Sequence, residues 1–172
     1  MSIRVLTCSM FLIVASAAYA AEVDLEWRQA VSLVKQGQPD FAFANFDLIA
    51  RTYPESRYAR PAEFAQGEYF YMQGQRKAAA EKFRVFYGHH PRSQEALAAL
   101  AYLYEIARLQ SDAAAAAKYR KQLVSSHQAN FIFKDRKSYE FTSAFARRHK
   151  ISFAIDQIEV WVDGKLLVRV PL

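Results

Sequence analysis

The residues that could do chemistry in this chain are few, and their spacing does not favour a site. Histidine occurs at positions 89, 90, 127 and 149, and the only cysteine is Cys8. Metal ligands on one helical face recur three or four residues apart, and no histidine has a glutamate or a second histidine at that spacing. We therefore expect no metal site, and we interpret His89-His90-Pro91 as a linker between helices.

Motifs for nucleophilic and phosphate chemistry are also missing from the sequence. The five glycines form neither a phosphate-binding loop nor the Gly-x-Ser-x-Gly turn that presents a catalytic serine. We therefore predict no catalytic residue, no cofactor and no enzymatic activity.

The first twenty residues have the pattern of a secretory signal peptide. Arg4 gives a cationic start, residues 5–14 are mostly apolar, and Ala18-Tyr19-Ala20 supplies small residues at a cleavage site. We predict cleavage after Ala20, which would remove Cys8, and a periplasmic or secreted mature protein. The alternative is a retained membrane anchor, but residues 5–20 are only sixteen residues long, and roughly 20 apolar residues are needed to cross a bilayer.

The composition indicates one compact globular domain. Of 172 residues, 52% are hydrophobic and 23% charged, with only five glycines and five prolines. These values exclude an intrinsically disordered chain and a collagen-like repeat.

Residues 21–127 contain an internal repeat of about 37 residues. Gly37-Gln38 returns as Gly74-Gln75, and Tyr53-Pro54 returns as His90-Pro91. Such a period is typical of a unit of two helices. A third copy, 36 residues further on, is indicated by Gln110, Ala115, Tyr119 and His127.

Apolar periodicity and turn residues predict where the helices lie. Pro39 fits the first turn of one helix, Gly74 ends another, and Gly88 with Pro91 closes the next. The predicted helices of the last two copies cover residues 58–73, 76–87, 95–109 and 112–123.

One copy resembles the tetratricopeptide repeat (TPR). The matching positions are Gly67, Phe70, Gly74, Ala79, Phe83, Phe86 and Pro91. The linker from Tyr53 to Pro61 is similar to that of the BamD-like and CpoB-like repeats of the bacterial cell envelope. The resemblance implies a mainly α fold, a TPR-like α-solenoid of about three repeats, and a non-catalytic scaffold role in processes such as outer-membrane assembly.

In such a solenoid the first helix of each repeat lines a concave groove that binds a peptide or protein. Aromatic residues beside charges are typical of interaction hot spots. The register of the repeats predicts these groove residues: Trp27, Phe64, Glu68, Tyr71, Tyr104 and Arg108. The alternative for the aromatic members is burial between helices. The expected partner is another envelope protein, and no nucleic acid is expected.

The last 45 residues depart from the repeat. Aromatic residues at Phe133, Phe141 and Phe145 predict a basic capping helix over residues 128–150. Residues 151–172 are expected to form a β-hairpin around Asp163-Gly164, since both positions of such a turn favour positive φ. The pairing expected from a two-residue turn sets Val160 opposite Leu167. Residues 151–155 would either add a third strand or leave one face of the hairpin for another contact.

Positive charge is concentrated in residues 118–150, which carry nine Lys/Arg and two Asp/Glu. A patch of this kind attracts anionic partners, so the alternative function is binding of an anionic membrane surface or envelope polymer. A solvated face without a specific role is equally compatible with the pattern. The patch would consist of Lys118, Arg120, Lys121, Lys134, Arg136, Lys137, Arg147, Arg148 and Lys150.

Overall fold

A computed structural model describes residues 3–132 and 137–172 of the chain. Within these residues the protein is mainly helical, with six α-helices followed by a small four-stranded antiparallel sheet. The chain divides into two compact units, Met1–Ala62 and Glu63–Leu172. Among the described residues, no helix combines the length and the apolar character needed to span a bilayer.

The first unit is built on a pair of helices, α1 (Ile3–Lys35) and α2 (Pro39–Thr52). Pro39 lies at the start of α2, as predicted, where its missing N–H has no helical partner. Phe46 is buried and meets the ring of Trp27 at 5.5 Å. Helix α1 continues through the predicted cleavage site without a break. Cleavage after Ala20 stays a prediction.

The second unit contains the last two predicted helix pairs except residues 59–62, the first turn of the earliest of these helices, which belong to the first unit. Its helices begin and end within four residues of the predicted bounds, although Gly88, expected to close a helix, lies inside one. The bounds are α3 (Ala59–Met72), α4 (Arg76–His89), α5 (Ala96–Leu109) and α6 (Ala113–His127).

The turns within the helix pairs repeat every 37 residues. The second residue after the end of each first helix adopts a left-handed conformation, at Gly37 (φ 70°), Gly74 (φ 71°) and Ser111 (φ 57°). This conformation lets the next N–H bond back to the last helical turn, as Gln75 N does to Phe70 O at 2.9 Å. At this turn the third copy therefore follows the second by 37 residues, with Ser111 equivalent to Gly74. The sequence alignment, at a spacing of 36, matches Gly74 with Gln110 instead.

The predicted capping helix over residues 128–150 is wrong for the part that the structure describes. A π-helical turn, Gln128–Ile132, extends α6. Strands β1 (Ser138–Thr142) and β2 (Arg148–Phe153) then occupy most of the remaining segment. Phe133 lies outside the described residues.

The C-terminal strands form the predicted hairpin with one difference in register. Strands β3 (Gln157–Val162) and β4 (Lys165–Pro171) are joined by Asp163 (φ 52°) and Gly164 (φ 76°). A β-bulge at Leu167 sets Val160 opposite Val168, where Leu167 had been expected. The extra residue turns Val168 and Val170 toward the buried face.

Strand β2 pairs with β3, so the alternative of a third strand is confirmed. The complete sheet has the order β1-β2-β3-β4. One face of this sheet covers the helices of the second unit. Phe141 and His149 from the sheet lie 5.8 and 5.6 Å from the ring of Phe64 on α3, and His149 also meets Tyr102 on α5. Part of the face that the repeat register predicted as the inner wall of a groove is therefore core in this unit.

Candidate functional site

A cluster of polar side chains is buried where the sheet meets α3 and α5. Glu68, Tyr102 and His149 each have no exposed surface. His149 Nε2 lies 3.1 Å from the Tyr102 hydroxyl and 3.3 Å from Glu68 Oε1. His149 Nδ1 lies 3.1 Å from the carbonyl oxygen of Arg147. Since a carbonyl only accepts, Nδ1 carries the proton, and Nε2 accepts from the Tyr102 hydroxyl.

Burial makes both titratable partners of this cluster neutral at pH 7. It raises the pKa of Glu68 to about 8, although the Ser143 hydroxyl and the charge of Arg147 act to lower it. It lowers the pKa of His149 to about 4. Both shifts follow from the cost of placing a charge in a medium of low polarity. The cluster thus joins the sheet to the helices as a set of neutral dipoles, closed to solvent.

We expect the neutral state of Glu68 to make the protein less stable at mildly alkaline pH. A carboxyl whose pKa is raised on folding stabilises fully below its ordinary value of 4.5, and this stability is lost as the pH rises toward 8. Between pH 4.5 and 6.5 the opposite effect of His149 offsets the trend, because its pKa is lowered from 6.5. Urea unfolding at pH 6.5 and 8.5 should show a decrease of about 1–2 kcal/mol.

The variant Glu68→Gln is the control for this pH effect, since it keeps the shape of the side chain and removes its titration. Its free energy of unfolding should be nearly equal at the two pH values. An equal decrease in the variant would show that another group is responsible.

An ion pair closes the sheet side of the cluster. Arg147 Nε donates to Asp163 Oδ2 at 3.0 Å, and the N–H of Arg148 donates to Asp163 Oδ1 at 2.9 Å. Burial acts to raise the pKa of Asp163, but these two donors outweigh it and lower that pKa. The sequence predicts Arg147 to be part of the basic patch. In the structure its guanidinium is paired with Asp163, in the turn that follows β3.

The structure separates the predicted groove residues into buried and surface positions. Phe64 and Glu68 are buried beneath the sheet, so the predicted exposure of Glu68 in a groove is wrong, and for Phe64 the alternative of burial holds. Tyr71 and Tyr104 are half-buried and Arg108 is exposed. The physical reason is that the C-terminal sheet of the same chain covers part of the helical face that the repeat register marks.

The three surface positions share one region of the second unit. Tyr71 packs on the ring of Tyr102 at 4.7 Å. The pKa of Tyr71 is raised, mainly by burial and secondly by the nearby charge of Glu105. Glu105 also pairs with Arg108 at 3.2 Å, and the guanidinium of Arg108 lies 5.8 Å from the ring of Tyr104. We call Tyr71, Tyr104 and Arg108 the tyrosine rim.

Trp27, the remaining predicted groove residue, lies in the first unit. It is half-buried and stacks on Tyr58 at 4.8 Å with an angle of 13° between the rings. The guanidinium of Arg57 lies 4.7 Å above the same tyrosine and pairs with Asp24. Trp27 is thus part of the packing of its own unit.

The predicted basic patch is divided among several partners. Arg120 donates to the carbonyl oxygen of Pro171 at 2.8 Å, Arg147 pairs with Asp163, and Lys150 lies 3.9 Å from Glu140. Lys134 and Arg136 lie outside the described residues. The exposed members that keep their charge toward solvent are Lys118, Lys121, Lys137 and Arg148.

The outer face of the sheet carries a shallow depression of about 440 Å³. Trp161 lines it and donates from Nε1 to Glu159 Oε2 at 3.3 Å, while Arg169 pairs with the other oxygen of Glu159 at 2.8 Å. The charges there are largely paired within the sheet. No histidine lines this depression, and the Glu159 carboxylate in it already accepts from Trp161 and pairs with Arg169.

Sequence reasoning missed one further group, in which Glu63 on α3 meets His89 and His90 at the end of α4. The carboxylate precedes the two histidines by 26 and 27 residues, so no local spacing could reveal it. The expectation that the histidine pair is only a linker is therefore incomplete.

No known protein-family model matches the chain, and no curated protein matches it either.

Proposed function

We propose that the protein is a non-catalytic interaction scaffold of the bacterial cell envelope, built as a TPR-like α-solenoid. The helix pairs, the left-handed residue that recurs every 37 positions and the signal-peptide pattern support this proposal. Its partner would be another envelope protein. The complete burial of the most strongly perturbed titratable groups gives no support to a catalytic role.

The observation that carries the proposal is the tyrosine rim. The sheet covers Phe64 and Glu68 but leaves Tyr71 and Tyr104 partly exposed beside Arg108. Tyrosine and arginine are enriched in interface hot spots, because they bury a large area and also hydrogen-bond. Both tyrosines pack against the core of their unit, and the Glu105 carboxylate holds Arg108. A partner would lose little side-chain entropy on binding such a preorganised surface.

We expect a photo-reactive amino acid at position 104 to cross-link one envelope protein in intact cells. The matched control is the same amino acid at Val85, which is 48% exposed on α4. Adding Arg108→Glu should reduce the adduct roughly tenfold or more, as the loss of a hot spot does, while Arg84→Glu should leave it unchanged. Equal adducts from positions 85 and 104 would reject the rim as the binding surface.

The alternative function, binding of an anionic membrane surface or polymer, now depends on the exposed Lys118, Lys121, Lys137 and Arg148. The test is co-sedimentation with vesicles that contain anionic lipid, at low salt and at about 0.5 M salt, where screening acts over a few ångströms. Salt-sensitive binding that Lys118→Glu with Lys121→Glu removes would support the alternative. An absence of binding at low salt would exclude it.

A further inference from the structure

Three potential metal ligands converge at the end of α4, although the sequence separates them. Glu63 Oε2 lies 3.0 Å from His89 Nδ1 and 3.2 Å from His90 Nε2. The three ligand atoms all lie within 4.8 Å of one another. In a tetrahedral zinc site, with bonds of about 2.0–2.2 Å, neighbouring ligand atoms are about 3.3 Å apart. The two contacts of Glu63 already have nearly this spacing.

The burial of the three side chains is graded from the core outward. Glu63 and His90 are 20% and 27% exposed, whereas His89 is 59% exposed. The carboxylate and one imidazole are thus held by their surroundings, and the other imidazole can move. An ion could enter from solvent by a small rotation of His89, and a water molecule could complete its coordination from the same side.

The His90 ring nitrogen provides an independent observation. Nε2 has essentially no exposed surface and makes no hydrogen bond of good geometry within the described part of the chain, although it faces Glu63 Oε2. Its ring is fixed against Phe86 at 5.1 Å, and its backbone N–H donates to the carbonyl oxygen of Phe86 at 2.9 Å. A buried nitrogen without a hydrogen bond, aimed at a carboxylate, is the arrangement that a metal ion would satisfy.

We propose that Glu63, His89 and His90 form a binding site for Zn²⁺. Two imidazole nitrogens and one carboxylate oxygen are a ligand set that zinc accepts, whereas Ca²⁺ and Mg²⁺ prefer oxygen ligands alone. The ion would tie α3 to the linker between α4 and α5. This site is separate from the tyrosine rim and does not depend on the proposed scaffold function.

The test uses the untagged full chain, and Zn²⁺ alone is the probe. We expect competition with a chromophoric chelator to give one tightly bound Zn²⁺ per chain. We also expect Co²⁺ to give the intense visible absorption of a four- or five-coordinate ion, which a loosely associated ion does not give.

The variants Glu63→Gln and His90→Ala should each weaken Zn²⁺ binding by more than about tenfold. The matched control is Glu81→Gln, which makes the same change at an exposed position of α4 and should bind as the natural chain does. Helical circular dichroism checks that each variant is folded. The proposal is wrong if the natural chain binds no Zn²⁺ more tightly than the double variant His89→Ala/His90→Ala, or if Co²⁺ gives only the weak spectrum of its hydrated form.

Discussion

Replacing Phe64 by alanine should destabilise the protein by about 3–5 kcal/mol. The Phe64 side chain is 1% exposed, and its ring lies 5.3–5.8 Å from the rings of Phe86, Phe83 and Phe141. Truncation would leave a cavity among residues from two helices and the sheet, which cannot all close around it. Urea unfolding monitored by circular dichroism measures the loss.

The matched control is Phe41→Ala, which makes the same chemical change at a site that is 66% exposed. We expect it to change the free energy of unfolding by about 0.5 kcal/mol or less. If Phe64→Ala were as mild as this control, Phe64 would lie on the surface, the exposed one of the two sequence alternatives, and the sheet would not cover α3 in solution.

The second large effect is expected at Gly67 on α3, which lies against the ring of Phe83 on α4. A Cβ atom at this position would lie 2.5 Å from Phe83 Cε1 and 2.6 Å from Phe83 Cδ1. The Phe83 ring cannot retreat, because it is fully buried and stacks on Tyr102 at 4.6 Å. Gly67→Ala should therefore destabilise by about 1–3 kcal/mol through overpacking, despite the better helix propensity of alanine.

Gly88→Ala is the control for this effect, because a Cβ there meets nothing within 4 Å. Alanine in that helical position should stabilise by up to about 1 kcal/mol. The double variant Gly67→Ala/Phe83→Leu should lose less than the sum of its single changes, since the smaller side chain removes the clash. A neutral Gly67→Ala would contradict the close approach of the two helices.

The helices could be predicted because their signals are local. Glycine at positions 37 and 74 supplies the left-handed residue of the turn, and Pro39 fits only a first helical turn. Asp163-Gly164 likewise predicted its hairpin, because both residues take positive φ. These features depend on a few neighbouring residues, so no tertiary contact is needed to recognise them.

Strand β1 could not be distinguished from a helix by sequence alone. Ser138–Thr142 alternates as a strand does, but Phe141 and Phe145 also have helical spacing. Pairing with β2 decides between the two, and that pairing is a tertiary interaction. The bulge at Leu167 also depends on a tertiary interaction. It shifts the register of β4 so that Val168 and Val170 lie on the buried face.

The candidate sites were harder to predict than the fold, because their residues are distant in sequence. His149 is 81 positions from Glu68 and 47 from Tyr102, and only the docking of the sheet brings the three together. Tyr71, Tyr104 and Arg108 were predicted because they lie on the helical face that the repeat register marks. Phe64 and Glu68 lie on the same face, and the register contains no information about what covers it.

The covering of α3 and α5 by the C-terminal strands has a consequence for competition. A tethered segment acts at an effective concentration of millimolar order when its linker spans the distance well. An external peptide that used the covered part of this face, around Phe64, would have to displace the sheet against that concentration, and would also expose Ile151 and Val160, which are completely buried. The C-terminal sheet therefore acts as a tethered ligand for the apolar surface of the helices. Because it belongs to the same chain, dilution of the protein does not dissociate it.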